Sequence, residues 1–354
     1  MRPALRLPSS LGTRRHLTSQ TISTIRAFST SYRQANRNYA TVTSGSPSLT
    51  VTQTIGESSL PFGYGSYTPS SNKAQDTPIH HIRIPAFASL TAERNFRKLH
   101  HAAGLRWLGH NGYNNEGAGG HVTVRDPILT DHMWINPHGK SFSWMRPEDL
   151  VLINEDGQVV DGHGGNMHSV NPAGYVIHSA IHRARPDVVA VVHCHSVPSK
   201  AFSSLGTMLE PINQDACRFY KDHGLAPFGG IALEKHVEGE HIAAALGSTK
   251  ACILQNHGHL TAAKSVDAAV FLFGAFDRCI QAQLMADAAV AGRKARGETT
   301  GTETIKASEE VANYTREIYN DEMAYIMFQS AFEDVVRASG GELSMRVEGE
   351  IARV

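Results

Sequence analysis

The sequence predicts an α/β fold in which helices and strands alternate in layers. Three observations point there. Short apolar runs bounded by turn residues (Met133-Trp-Ile135, Leu150-Val-Leu-Ile153, Val188-Val-Ala-Val-Val192 and Ala251-Cys-Ile-Leu254) have the length of buried strands. Segments with apolar residues at helical spacing separate them. At 354 residues, 41% hydrophobic and 19% charged, the chain is long enough to bury a sizeable core around such a sheet.

In chain order, residues 1–56 hold seven arginines, no lysine and no carboxylate, the first being Glu57. This acid-free, Arg- and Ser-rich composition predicts a mitochondrial transit peptide over residues 1–40 and delivery to the mitochondrial matrix. Arg26-Ala-Phe-Ser29 resembles a processing site. An unprocessed tail of the same composition on a cytoplasmic protein is the alternative. Residues 41–85, rich in Ser, Thr, Gly and Pro, read as a flexible arm. The folded domain then spans residues 86–292. Thr91 serves as N-cap for a helix to about Leu108, with Phe96, Leu99 and Ala103 on its apolar face. His121-Val-Thr-Val-Arg125 alternates as a strand after a Gly-rich turn. The run at Leu150 turns at Asp156-Gly157 into Gln158-Val-Val160, a hairpin signal. Pro172 stands in the first turn of a helix to about Arg185, and Ser265 to about Ala291 forms a long helix. Residues 293–354 read as a helical extension, with a helix around Glu309–Ala331 expected to pack outside the main domain.

Charge and cysteine content exclude several classes of function. With 33 basic and 33 acidic residues there is no excess positive charge to drive nucleic-acid binding. Cys194, Cys217, Cys252 and Cys279 have no paired spacing, which argues against a disulfide framework or a zinc finger. The most apolar stretch, Ala268 to Phe276, is too short to span a membrane.

Histidine is the anomaly: 19 of the 20 fall between His80 and His259. His193-Cys194-His195 lies at the carboxyl end of an apolar strand, where side chains alternate. His193 and His195 therefore share a face, and Cys194 points to the other. His257 sits where a second apolar strand breaks into Gln255-Asn-His-Gly258; His259 competes with it. Three imidazoles with a fourth position open are the donor set of a catalytic divalent metal, most often zinc.

Four blocks occur in order: Gly117-Ala-Gly-Gly-His-Val-Thr-Val-Arg-Asp-Pro127, Trp134-Ile-Asn-Pro-His-Gly139, Ala184-Arg-Pro-Asp-Val-Val-Ala-Val-Val-His-Cys-His195 and Gln255-Asn-His-Gly258. Together they resemble the class II aldolase/adducin family, in the version found in fungal adducin-domain proteins. The likeness covers roughly residues 90–290. It implies a three-layer α/β/α sandwich with a central mixed sheet, a homotetramer, and zinc or another divalent metal on His193, His195 and His257.

The departures are as informative. The family's sugar-phosphate aldolases carry a Ser-Ser-Glu element whose glutamate is the base; here the matching positions are Pro172, Ala173 and Gly174, which leaves no titratable group there. The asparagine of their phosphate loop corresponds to His121, the threonine of a Pro-x-Gly turn to His138 beside Gly139, and an acid tyrosine to Gln214. His178, four residues after Gly174 on the same helix face, becomes the candidate base, with Asp215 next and Glu210 weaker. His121 and Arg125 are candidates to grip a substrate carboxylate, with His138, Gly139 and Gln214 completing the substrate pocket. Arg125 paired with Asp126 or Asp187 is the structural alternative.

The expected function is a metal-dependent lyase, aldolase or decarboxylase, on a non-phosphorylated carbonyl or carboxylate substrate, working through a metal-stabilised enolate. A dehydratase or epimerase on the same fold stays open. The alternative is an adducin-like, actin-binding scaffold without catalysis. The carboxyl terminus lacks the Lys-rich run such a protein uses, Lys306 being its last lysine. Expected partners are a small molecule and further copies of the chain, with no nucleic acid and no membrane span.

Overall fold

The computed structural model describes residues 64–67, 79–160, 169–227, 229–230, 237–343, 346–347 and 350–351. The segment read as a transit peptide lies outside them. Within the segment read as a flexible arm, β1 (Tyr64–Tyr67) pairs antiparallel with β2 (Ile79–Ile82). Tyr and Ile favour extended backbone, and pairing satisfies the main chain of both short strands.

A seven-stranded sheet is the spine of the domain, in the order β5-β4-β3-β6-β9-β8-β7. Its members are β3 (His121–Arg125), β4 (Met133–Ile135), β5 (Val151–Ile153), β6 (Ala190–Cys194), β7 (His223–Ala226), β8 (Ala251–Leu254) and β9 (Gly258–Ala263). Only β7 and β8 run parallel, so the sheet is mixed. Alternation along each strand separates two cores. Ala190, Val192 and Cys194 of β6 face one core with Val122 and Val124 of β3; Val191 faces the other.

The first core is closed by α1 (Leu90–His110) and α6 (Val266–Ala295), which bring Leu99, Leu105, Phe273 and Phe276. The second is closed by α2 (Pro172–Ala184) and α5 (Val237–Leu246), through Ile177, Ile181, Ile242 and Leu246. This is the expected α/β/α sandwich. Caps explain the helix starts. Ser89, rather than Thr91, accepts the Ala92 amide at 3.1 Å, and Asn171 accepts the amides of Ala173 and Gly174 beside Pro172.

The carboxyl-terminal region differs from expectation. In place of one outer helix there are two, α7 (Glu309–Ile318) and α8 (Asp321–Ala338), because Asn320 caps the second by accepting the Met323 amide at 3.0 Å. α8 is part of the core: Phe328 and Phe332 are buried with α1 and α6. His100 stacks on Phe332 with ring centroids 3.9 Å apart, and its Nδ1 meets Asp267 at 2.7 Å. Gln329 donates to the same carboxylate at 3.1 Å, so one buried polar knot ties three helices. No helix among the described residues is long and apolar enough to cross a membrane.

Asp126, just past β3, anchors the sheet to α1. Its buried carboxylate accepts Arg94 Nε and Nη2 at 2.7 Å each, Trp134 Nε1 at 2.7 Å, and the amides of Ile128 and Leu129 at 2.8 and 2.7 Å. Burial pushes this carboxyl up, but hydrogen bonds from Arg94, Leu129, Trp134 and Ile128 outweigh it and hold the group below its ordinary value. A carboxyl depressed in the folded state contributes stability above about pH 4 and loses it as pH falls through the folded value. Asp126→Asn should therefore cost about 3 kcal/mol at pH 7, the scale for breaking a buried pair. Denaturant unfolding across pH checks this: the deficit should shrink below pH 4, and a deficit independent of pH contradicts the ionic account.

Candidate metal centre

The site forms where β6 ends. His193 continues the face of Val191 toward α2, while Cys194 is buried in the opposite core. Ser196 then takes an N-cap conformation for α3 (Val197–Ser203), accepting the Ser199 amide at 3.1 Å, so the strand stops one residue short of His195. His257 comes from the turn between β8 and β9. That turn is tight because Asn256 takes φ +57°, which asparagine tolerates, and Gly258 takes φ +140°. Ring centroids lie 5.1 Å apart for His193–His195, 4.7 Å for His193–His257 and 5.1 Å for His195–His257.

One ring nitrogen from each residue lies within 4.8 Å of the other two, and the Nε2 atoms of His195 and His257 are 3.1 Å apart. His193 Nδ1 is hydrogen-bonded to the His259 carbonyl at 2.9 Å, which makes it the protonated nitrogen. Its Nε2 is fully buried with no partner. A buried lone pair without a donor is costly. Its convergence with two more imidazoles fits a divalent cation. Burial pushes all three pKa values down, His257 to about 4, so at neutral pH the rings offer lone pairs and no charge.

Glu116 and Lys200 carried no signal in the sequence. The Glu116 carboxylate lies 3.9 Å from His195 Nδ1 and takes two contacts from Lys200 Nζ at 2.5 and 2.6 Å. That leaves a carboxylate near the nitrogen of His195 that faces away from the cluster, at a distance too long for a hydrogen bond.

His121 sits beside the triad, its ring centroid 4.9 Å from that of His193. Its Nδ1 meets His178 Nε2 at 2.8 Å, and His178 Nδ1 meets Thr123 Oγ1 at 2.7 Å. His178, expected to be the base, has both nitrogens engaged and no exposed surface, so it supports His121 and does not reach substrate itself. The wall at Gly174 is not empty either. A Cβ built there would lie 2.6 and 2.7 Å from His121 Cδ2 and Cγ. The imidazole occupies the space that a side chain at position 174 would need, so His121 and Gly174 form a size-complementary pair.

Other expected contacts are not made. Arg125 grips backbone and not substrate: Nε donates to Val188 O at 3.1 Å, Nη1 to Thr130 O at 2.9 Å, and Nη2 to His182 O at 2.6 Å and Arg185 O at 3.2 Å. Asp126 pairs with Arg94 and Asp187 with Arg185, so neither supplies the ion pair weighed for Arg125. Asp215 is exposed and paired with Arg218 at 2.7 Å. Gln214 lines an outer groove with Pro211, Val311 and Tyr314. Glu210 is paired with Lys306 at 2.5 Å. His138 and Gly139 form an exposed turn held by a 2.7 Å bond from the His138 amide to Ser169 O; among the described residues no contact links it to the triad. His259 points into the other core, stacked on Phe273 at 4.1 Å, and only its carbonyl serves the site. Burial and nearby Asp277 push the Cys194 thiol up, which disfavours thiolate ligation.

Sequence and fold comparisons define the family. The class II aldolase and adducin N-terminal domain model matches residues 100–284. The chain belongs to that family. Two Streptomyces proteins are each 41% identical over 207 residues, 58% of this chain. One, from Streptomyces roseochromogenus subsp. oscitans and covered over 73% of its length, is named 4-hydroxy-3-prenylphenylpyruvate oxygenase/4-hydroxy-3-prenylbenzoate synthase. The other, from Streptomyces niveus and covered over 75%, is named decarboxylase NovR. A solved structure described as L-fuculose 1-phosphate aldolase from Glaciozyma antarctica is 38% identical with a TM-score of 0.65, over 74% of this chain and 96% of that one.

The packing of His121 on Gly174 sets a testable coupling. Gly174→Ala alone forces the ring aside and should cost about 1–3 kcal/mol, the range for overpacking a buried site. His121→Asn opens the space, so the double variant should be less unstable than the two single effects summed. Thermal or denaturant unfolding of the four proteins measures this, and strict additivity contradicts the pairing.

Proposed function

We propose that this protein is a metal-dependent carbon–carbon lyase, of aldolase or decarboxylase type, acting on a non-phosphorylated carbonyl or carboxylate substrate. The observation that carries the reading is the buried, unpartnered Nε2 of His193 converging with His195 and His257. Those three residues would hold zinc or another divalent ion. Bound there, such an ion supplies Lewis-acid charge for polarising a carbonyl and stabilising an enolate.

The chain's own residues do the remaining work. His121 is the group beside the triad placed to hold or move a proton, and His178 positions it. Glu116, paired with Lys200, places a negative charge behind His195. The substrate class follows from what is missing around the triad. Arg125 is spent on backbone carbonyls, and His121 packs toward α2 where the family's phosphate loop has asparagine. Loss of carbon dioxide leaves the same kind of enolate as aldol cleavage, so both reactions suit the site. The names of the Streptomyces relatives favour the decarboxylase branch and also raise oxygenation; imidazole ligands suit iron as well as zinc.

We further propose a homo-oligomer in the mitochondrial matrix, on the family likeness and on the composition of residues 1–56. Amino-terminal sequencing of protein from isolated mitochondria should read from near Ser29; an intact Met1 on cytosolic protein contradicts it.

The activity test is a screen of 2-oxo acids, 3-oxo acids and sugar phosphates against zinc- and iron-loaded protein, following carbon dioxide, aldehyde and oxygen. Release of carbon dioxide or aldehyde from non-phosphorylated substrates, without oxygen uptake and abolished in His193→Ala, is the expected result. Turnover confined to sugar phosphates contradicts the substrate class, and oxygen uptake contradicts the lyase.

A further inference from the structure

β3 and α2 are joined by a ladder of polar side chains in which two periodicities interleave. His121, Thr123 and Arg125 are alternate residues of β3 and share its α2 face, about 6.6 Å apart. His178 and His182 lie one turn apart on α2, about 6 Å. The similar repeats let the side chains mesh. His121 Nδ1 meets His178 Nε2 at 2.8 Å, and His178 Nδ1 meets Thr123 Oγ1 at 2.7 Å. Thr123 Oγ1 meets His182 Nε2 at 2.8 Å, and His182 Nδ1 faces Arg125 Nη2 at 3.3 Å. His121, Thr123, His178 and His182 are all buried.

We propose that Arg125 fixes the direction of every hydrogen bond in this ladder, and that His121 is thereby held as the tautomer carrying its proton on Nε2, beside the metal centre. The Val188 carbonyl, which also accepts from Arg125 Nε at 3.1 Å, is the competing acceptor: a proton on His182 Nδ1 given to it would run the ladder the other way. A guanidinium only donates, so the cation facing His182 Nδ1 favours the tautomer that presents a lone pair there, sharing an Nη2 that also donates to the His182 and Arg185 carbonyls. A neutral His182 then carries its proton on Nε2 and donates to Thr123. The threonine hydroxyl has one hydrogen and, having accepted there, donates to His178 Nδ1. His178 consequently donates from Nε2 to His121 Nδ1. That leaves the His121 proton on Nε2, a nitrogen with no hydrogen-bond partner among the described residues. Burial and the neighbouring Arg125 push His182 down to about 3, so the ring that starts the ladder is neutral.

The consequence is a division of labour among four neighbouring imidazoles. Three present lone pairs, and the fourth presents an N–H. The opposite tautomer would present a further lone pair beside the site and no donor. The N–H form instead offers a donor to an anionic substrate oxygen, a carboxylate or enolate. Arg125 acts roughly 13 Å away along the strand, and with Thr123 and His178 it is a positioning residue. Only the nature of the oxygen His121 meets rests on the proposed lyase reading; the proton positions do not.

Neutron diffraction from deuterium-exchanged, zinc-loaded protein reads those positions directly. Deuterium is expected on Nε2 of His121, His178 and His182, with the Thr123 deuteron pointing at His178. Deuterium on Nδ1 of His121 or His182 overturns the proposal. Nitrogen NMR of histidine-labelled zinc-loaded protein tests the causal chain. His121 should show one tautomer in the wild type and in Thr123→Ser, and a mixture in Thr123→Val. A single Nε2–H tautomer surviving in folded Thr123→Val overturns the role of Arg125. Should that variant fail to fold, the neutron map decides alone. Failure of the substrate screen with these protons in place would count against the lyase reading and leave the ladder standing.

Discussion

The His259 carbonyl takes a hydrogen bond from His193 Nδ1, and that contact decides which nitrogen the end of β6 offers to the site. β6 and β9 pair antiparallel with His193 opposite Leu260 and Cys194 opposite His259, so the carbonyl that fixes His193 belongs to a residue whose side chain is buried in the other core. A slip of one residue in this register would turn the imidazole into the opposite layer and bring Cys194 forward. The remaining geometry follows from that edge of the sheet. β3 begins there with His121 opposite His193, and the β8–β9 turn delivers His257.

The exchange of a family glutamate for Gly174, with histidine at position 121, changes the electrostatics of the site. Three neutral imidazoles leave a divalent ion its full charge, and no carboxylate of this chain is in ligating position among the described residues. Glu116 sits behind His195 and is paired with Lys200. Under the proposed reading, a cation held there would favour an anionic, oxygen-rich substrate over a neutral one. The exchange is also steric. Glycine at 174 is what allows the His121 ring to lie against α2, so any larger residue at 174 must displace that ring.

Much of this was legible in the sequence wherever a local rule was strong. β3 runs over the residues its alternation marks, β4 over its short apolar run, and Pro172 opens α2 as proline at a first turn should. β9 was not read because its polar residues, His259 and Thr261, are buried, and a glycine and small residues flank its single large apolar side chain, Leu260. α8 was taken for an outer helix because its polar residues mask a narrow stripe, Phe328 and Phe332, that fits between α1 and α6. His178 was correctly placed on the face of Gly174, but not its engagement by His121 and Thr123, a tertiary fact. Arg125 was misread for the same reason: most of its partners are carbonyls about sixty residues along the chain. Glu116 is one acidic residue in a loop, and only the fold reveals that it stands behind His195.

The central claim is that three imidazoles, and no sulfur or fourth ring, hold a divalent ion at the end of β6. X-ray absorption of the metal-loaded protein measures that donor set most directly. The account predicts scattering from three imidazoles, His193, His195 and His257, completed by light oxygen donors. Sulfur scattering, which would enlist Cys194, or a fourth imidazole, which would enlist His121, would contradict it.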